Sequence, residues 1–253
     1  MQILIDKLLI NFETRGENKN IILLHGWGDN LKVFQNIIPE LAKKFKVFVL
    51  DLPGFGLSSL PPRPFSVFDY AKILKKFLDK LKLDKIVLLG HSFGGRIAIK
   101  FAALFPNLVE KLILMDSAGI KPPKTFKKGL YLVLAKLGKI FFSFPFLKRF
   151  REKARKKLYQ RIGVHDYEKA GELKETFLKI IDEDLQKFAQ QIKAPTLIIW
   201  GENDNEVPLS DGESLNKLIS NSKFVILENA GHYSFIEQKE KFLEEVGRFL
   251  EYK

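Results

Sequence analysis

The chain has 253 residues, no cysteine and a formal net charge of +12. That length suits one α/β domain with a large buried core. The four histidines are not spaced as metal ligands and have no cysteine to join them, so neither metal nor other cofactor is expected. The absence of cysteine is compatible with any compartment. The N-terminus, Met1-Gln-Ile-Leu-Ile-Asp-Lys, reads straight into strand, from which no signal peptide and a cytoplasmic location are expected.

In chain order, residues 3–5 and 8–13 read as a hairpin-like pair of strands. The apolar run Ile21-Ile-Leu-Leu24 then leads into His25-Gly26-Trp27-Gly28. A His-Gly turn after an early strand usually lends one backbone N–H to an oxyanion hole, and here that donor is Trp27. Apolar residues at spacings of three and four predict helices at about 31–44, 66–82, 93–105 and 237–251. Between them, Asp51-Leu-Pro-Gly-Phe-Gly-Leu-Ser58 reads as a turn, with Asp51 accepting its own backbone N–H groups.

The run Lys85-Ile-Val-Leu-Leu89 precedes Gly90-His-Ser-Phe-Gly94, and a helical stretch follows. A Gly-x-Ser-x-Gly between strand and helix is a nucleophile elbow. Its turn is tight enough to demand small residues at 90 and 94, and it lifts the Ser92 hydroxyl above the sheet edge. The helix N-terminus beneath, beginning with the Phe93 N–H, supplies the second oxyanion donor. Downstream, Thr196–Trp200 is a buried strand followed by Gly201-Glu-Asn-Asp204-Asn-Glu-Val-Pro208. Residues 224–227 lead to Asn229-Ala-Gly-His232. Three of the four histidines, His25, His91 and His232, therefore lie in motifs. His232 is expected to take the Ser92 proton and return it to the leaving group. His25 is expected to shape its loop. His91 is expected to flank the elbow without taking part, and His165 to be solvated.

These motifs resemble the α/β-hydrolases with a cap, of the serine esterase and carbon–carbon bond hydrolase branch, and the resemblance runs from the turn at 25 to the terminal helix. Asp51–Ser58 is similar to that family's Asp-x-Pro-Gly-x-Gly-x-Ser turn after the fourth strand. The resemblance implies a mostly parallel eight-stranded sheet with helices on both faces. It implies a core of 1–116 and 191–253, and a helical cap, 117–190, inserted after the sixth strand. It also implies a triad in the order Ser92, Asp204, His232, with Asp116 as the other acid position that some relatives use. The elbow of epoxide hydrolases and haloalkane dehalogenases carries aspartate. Serine here implies attack on an ester, thioester, lactone or ketone carbonyl.

Along 121–161 there are fourteen Lys and Arg against one acid, Glu152, so the basic character belongs to the expected cap. A solvated cap surface, peripheral contact with an anionic membrane, and steering of an anionic substrate all fit this charge. Nucleic acid does not, because no recognition motif accompanies it. Lys136, Lys139 and Pro145 argue against transmembrane insertion. Leu134, Leu137, Phe141 and Phe142 are expected to line an apolar acyl pocket. The expected activity is hydrolysis of carboxylic esters with hydrophobic acyl chains of short to medium length, by a monomer or homodimer. The runner-up is a hydrolase of vinylogous diketones, with Arg149, Arg151, Arg155 or Arg161 holding the substrate carboxylate. A non-catalytic homologue that binds a ligand or a membrane is the third reading.

Overall fold

The computed structural model describes residues 1–121 and 170–251. Its sheet has eight strands in the order β1-β2-β4-β3-β5-β6-β7-β8. β1 (Gln2–Ile5) and β2 (Leu8–Arg15) form an antiparallel hairpin whose register closes at Ile5 opposite Leu8. Both turn residues, Asp6 and Lys7, have positive φ, as a two-residue turn matched to strand twist requires. β2 is antiparallel to β4 (Phe45–Leu50), and every later pairing is parallel. The parallel strands are β3 (Lys19–Leu24), β5 (Ile86–His91), β6 (Val109–Met115), β7 (Thr196–Gly201) and β8 (Ser222–Leu227). β3, β5, β6 and β7 hold near-continuous aliphatic runs because both of their faces are covered, whereas β8, at the sheet edge, leaves Ile226 exposed. Ile21–Leu24, Ile86–Leu89 and Leu197–Trp200 are all buried.

The helix expected at 31–44 is two short pieces, a 3-10 turn Leu31–Phe34 and α1 (Ile38–Leu41). Pro39 explains the break: it lacks the N–H that a continuous helix needs and occupies the first turn of α1 instead. α2 (Val67–Leu81) opens on a reciprocal capping box between Ser66 and Asp69 and ends at left-handed Lys82. α3 (Phe93–Leu104) follows β5 directly. At the C-terminal end, the expected helix at 237–251 is a short helix Ser234–Glu237 and a longer one, Lys239–Leu250, that buries Phe242 and Val246.

The chain divides into two compact units, Met1–Lys121 with Lys179–Lys253, and Pro122–Leu178. Residues 117–121 and 179–190, assigned from sequence to the insert, pack with the core. Two cations of α3 account for this. Arg96 Nη1 donates to the carbonyls of Ile180 and Glu183 at 2.8 and 2.9 Å, and Lys100 pairs with the Glu183 carboxylate at 2.6 Å. A 3-10 turn, Gly171–Leu173, in the second unit precedes the helix Lys174–Asp182, whose residues from Lys179 onward belong to the first. The expected pocket residues Leu134, Leu137, Phe141 and Phe142, with His165 and the four arginines, lie outside the described residues. Among the described residues no helix is long and apolar enough to cross a membrane.

Candidate active site

Ser92 stands between β5 and α3 with φ 50° and ψ −110°, a region that side-chain-bearing residues rarely occupy. The surrounding structure holds it there. Its amide donates to the Met115 carbonyl at 3.0 Å, and its carbonyl accepts from Ala118 at 3.2 Å. Two glycines make the turn sterically feasible. A Cβ on Gly90 would strike the backbone of Gly94 and Gly95, and one on Gly94 would run into the Leu24 carbonyl. α3 is thereby pressed against the end of β3, where the His25–Gly28 turn begins. The side chains of Trp27 and Phe93, the two expected oxyanion residues, meet edge to face with ring centroids 5.4 Å apart. The Phe93 amide is the first of α3, among the groups that helix geometry leaves without an intrahelical partner.

Asp204 and His232 come together. The ring Nδ1–H of His232 donates to Asp204 Oδ2 at 2.8 Å, with the acid's side chain fully buried and the imidazole nearly so. The other oxygen of Asp204 accepts from the amides of Glu206 and Val207 at 2.8 and 2.9 Å. One oxygen thus builds the loop while the other orients the ring. Burial pulls the His232 pKa down, but the bond to Asp204 and the charges of Asp204, Glu206 and Asp116 outweigh it, so the pKa is raised above 6.5. The second ring nitrogen, Nε2, is not engaged by Asp204. The carboxylate of Glu206 stands 3.5 Å from it, a neighbour that the sequence reading did not single out.

Asp116, the alternative acid, is fully buried and points elsewhere. Its Oδ1 accepts from Gly201 N at 2.8 Å, and its Oδ2 accepts from the hydroxyl and amide of Ser234 at 2.6 and 3.2 Å. Burial pushes its pKa up to about 7 against the pull of these donors. His25 is buried with both ring nitrogens committed. Its Nδ1–H donates to Gly26 O at 2.7 Å, and its Nε2 accepts from Leu52 N at 3.0 Å. Burial lowers its pKa to about 4, so it stays neutral. Asp51 accepts from Leu57 N within its own turn, and also from Leu31 N and the Asn11 side chain, each at 2.8 Å.

His91 does more than flank the elbow. Its Nε2–H donates to the backbone carbonyl of His232 at 2.8 Å, and the two rings lie 4.9 Å apart. The residue before the serine therefore ties the elbow to the loop that carries the histidine. Burial, followed by repulsion from His232, pushes the His91 pKa down to about 3, and its Nδ1 has no partner among the described residues. Among those residues no group of three or more acids and histidines is placed to hold a metal. A cavity of about 610 Å³ opens beside Leu31, Ile38, Val47 and Val49, but none of the site residues lines it.

A model of the α/β-hydrolase fold family matches residues 19–239, which is most of the chain. The chain belongs to the α/β-hydrolase family. A 2-hydroxy-6-oxononadienedioate/2-hydroxy-6-oxononatrienedioate hydrolase of Pseudomonas putida is 32% identical to it, over 96% of this chain and 92% of that protein. A pimeloyl-[acyl-carrier protein] methyl ester esterase of Aliivibrio fischeri is 27% identical, over 94% and 96% respectively. Among solved structures, a bacterial membrane phospholipase A superposes with a TM-score of 0.78 at 27% identity, covering 99% of this chain and 85% of its own.

Proposed function

We propose that this α/β-hydrolase cleaves carboxylic esters of hydrophobic, short-to-medium acyl chains through an acyl-enzyme on Ser92. Ser92 Oγ attacks the ester carbonyl as His232 Nε2 takes its proton. The negative charge that develops on the carbonyl oxygen is met by the N–H groups of Trp27 and Phe93. Collapse expels the alcohol, which takes back the proton from His232. Water then repeats the sequence and releases the acid. Asp204 keeps the imidazole in the Nδ1–H tautomer and offsets its transient positive charge. The observation that carries this reading is the 2.8 Å Asp204–His232 bond, in a loop keyed by His91 to the strained serine turn. The name of the Aliivibrio relative agrees with ester chemistry.

Carbon–carbon bond hydrolysis is the second reading, and the Pseudomonas relative's name favours it. That name denotes a dicarboxylate. The described loops bearing the site, 25–31, 201–208 and 228–238, contain Asp29, Glu202, Asp204, Glu206, Glu228 and Glu237 but no lysine or arginine. This charge pattern supports the ester.

A fluorophosphonate should modify Ser92, and Ser92→Ala should abolish the label and lower kcat by roughly 10⁴–10⁶. Nitrophenyl esters of graded acyl length, run beside a ring-fission diketone, then separate the two chemistries. Activity on the esters should climb with chain length to a maximum, because each buried methylene contributes up to about 0.8 kcal/mol until the pocket is full. Labelling that persists in Ser92→Ala, or faster turnover of the diketone, would overturn the reading.

A further inference from the structure

We propose that Glu206 is a specificity-determining residue of this site. Its carboxylate stands beside the proton-carrying nitrogen of His232 and selects leaving groups that bear no negative charge. This rests on the reading of His232 as the proton carrier in ester cleavage.

The position of Glu206 is fixed by the machinery itself. Asp204 orients His232 with one oxygen and with the other accepts the amides of residues 206 and 207. The Val207 carbonyl in turn accepts from the Trp200 indole N–H at 3.1 Å, which anchors the far side of the loop to β7. The backbone at 206 therefore cannot drift from the imidazole without breaking the acid–histidine arrangement. Its carboxylate lies 3.5 Å from His232 Nε2, and the Glu206 side chain is 62% exposed, so its charge stands open beside the nitrogen that a leaving group must approach.

A leaving-group oxygen that receives a proton from Nε2 sits about 3 Å from that nitrogen. The leaving oxygen then lies within roughly 7 Å of Glu206, inside one Debye length at physiological salt, so a charge carried close to that oxygen feels the carboxylate. The nearby acids do not counter this field. Glu202 accepts from Asn229 N, and Glu237 from Gly231 N and Tyr233 N. Asp204 is bound to the imidazole and Asp116 lies behind Ser234. Neither 201–208 nor 228–238 holds a lysine or arginine. On a chain of net charge +12, the loops beside the catalytic histidine have the opposite sign. A neutral alcohol leaves without penalty, whereas an anionic one is repelled as it forms.

The test compares acetoxyacetate with its methyl ester, read by release of acetate; the two share the scissile acetyl bond, and the charge of the first is only two bonds from the leaving oxygen. Wild type should prefer the methyl ester. Glu206→Gln should raise the anionic-to-neutral ratio of kcat/KM by about 3- to 10-fold, and this gain should shrink in about 0.5 M salt. A ratio that moves less than about twofold, or a gain indifferent to salt, overturns the proposal. A second readout needs no turnover: the rate of Ser92 phosphorylation by diethyl phosphate triesters whose leaving phenol carries a carboxylate or its methyl ester. If Glu206→Gln shifts that ratio while neither acetate ester is cleaved, the ester reading fails and the role of Glu206 stands. If both esters are cleaved and neither ratio moves, Glu206 is overturned and the ester reading stands. If the site gives neither phosphorylation nor turnover, both are overturned.

Discussion

Two buried aspartates follow neighbouring strands of the sheet, Asp116 after β6 and Asp204 after β7, and the family uses either place for a catalytic acid. Their surroundings differ in one respect. Both oxygens of Asp116 are taken up by Gly201 N and by the amide and hydroxyl of Ser234. Asp204 spends one oxygen on its own loop and keeps the other for His232. A carboxyl group whose oxygens are both taken up by fixed donors braces the chain through those bonds. One that reserves an oxygen for an imidazole can answer the proton that arrives there. The two also cooperate: Asp116 clamps the end of β7 to the residues just after His232, which helps to fix the separation of Asp204 and His232.

The largest difference between them should appear in turnover. Asp204→Asn is expected to lower kcat by about 10²–10⁴, whereas Asp116→Asn should cost far less. Steady-state kinetics on a neutral ester would measure both, and the reverse ranking would move the acid to β6. The pH profile sharpens the contrast. In the proposed mechanism His232 acts as neutral imidazole, and Asp204 holds its pKa above 6.5 against the pull of burial. Activity should therefore rise with pH through a midpoint above that value, and Asp204→Asn should move the midpoint down by removing the charge.

A smaller effect tests whether the elbow and the histidine loop act as one unit. Replacing His91 by methionine removes the donor to the His232 carbonyl while keeping bulk. An unsatisfied buried carbonyl costs about 1–3 kcal/mol, part of which should appear as a roughly tenfold loss in kcat with KM unchanged. Glutamine reaches about as far as Nε2 and should restore most of the rate. Equal losses in His91→Met and His91→Gln would mean that His91 matters for packing alone.

The sequence made this site legible where backbone chemistry leaves few options. Gly-x-Ser-x-Gly between strand and helix admits one tight turn, and the φ of 50° at Ser92 is what that turn demands. The aliphatic runs told of a sheet covered on both faces. What remained hidden were contacts between segments far apart in the chain. His91 and His232 are separated by 141 positions, and no local pattern reveals that a ring nitrogen on one meets a carbonyl of the other. Glu206 was hidden differently, as one acid among several in a polar loop. Arg96 and Lys100 did leave a signal: two cations four apart in an otherwise apolar helix are out of place unless something buries them with partners. Their partners, Ile180 and Glu183, draw residues 179–190 into the core. Pro39 shows the limit of periodicity, which continued through a residue that a helix interior excludes.

The subtlest separation of the two aspartates concerns stability. Burial raises the pKa of Asp116 from 3.8 to about 7 in the folded chain, while the unfolded chain keeps the ordinary value. Between those limits the native state holds a proton that the unfolded state has released. Stability from this group is therefore fully present below about pH 4 and is lost as pH rises through about 7. Asp116→Asn cannot ionise, so its stability should lack this decline, although the amide satisfies the Ser234 amide less well and should lower stability overall. Thermal unfolding near both ends of that window should show the wild-type advantage narrowing as pH rises. An advantage that widens instead would mean that the three donors, rather than burial, govern the Asp116 proton, and that this carboxylate enters the folded state already charged.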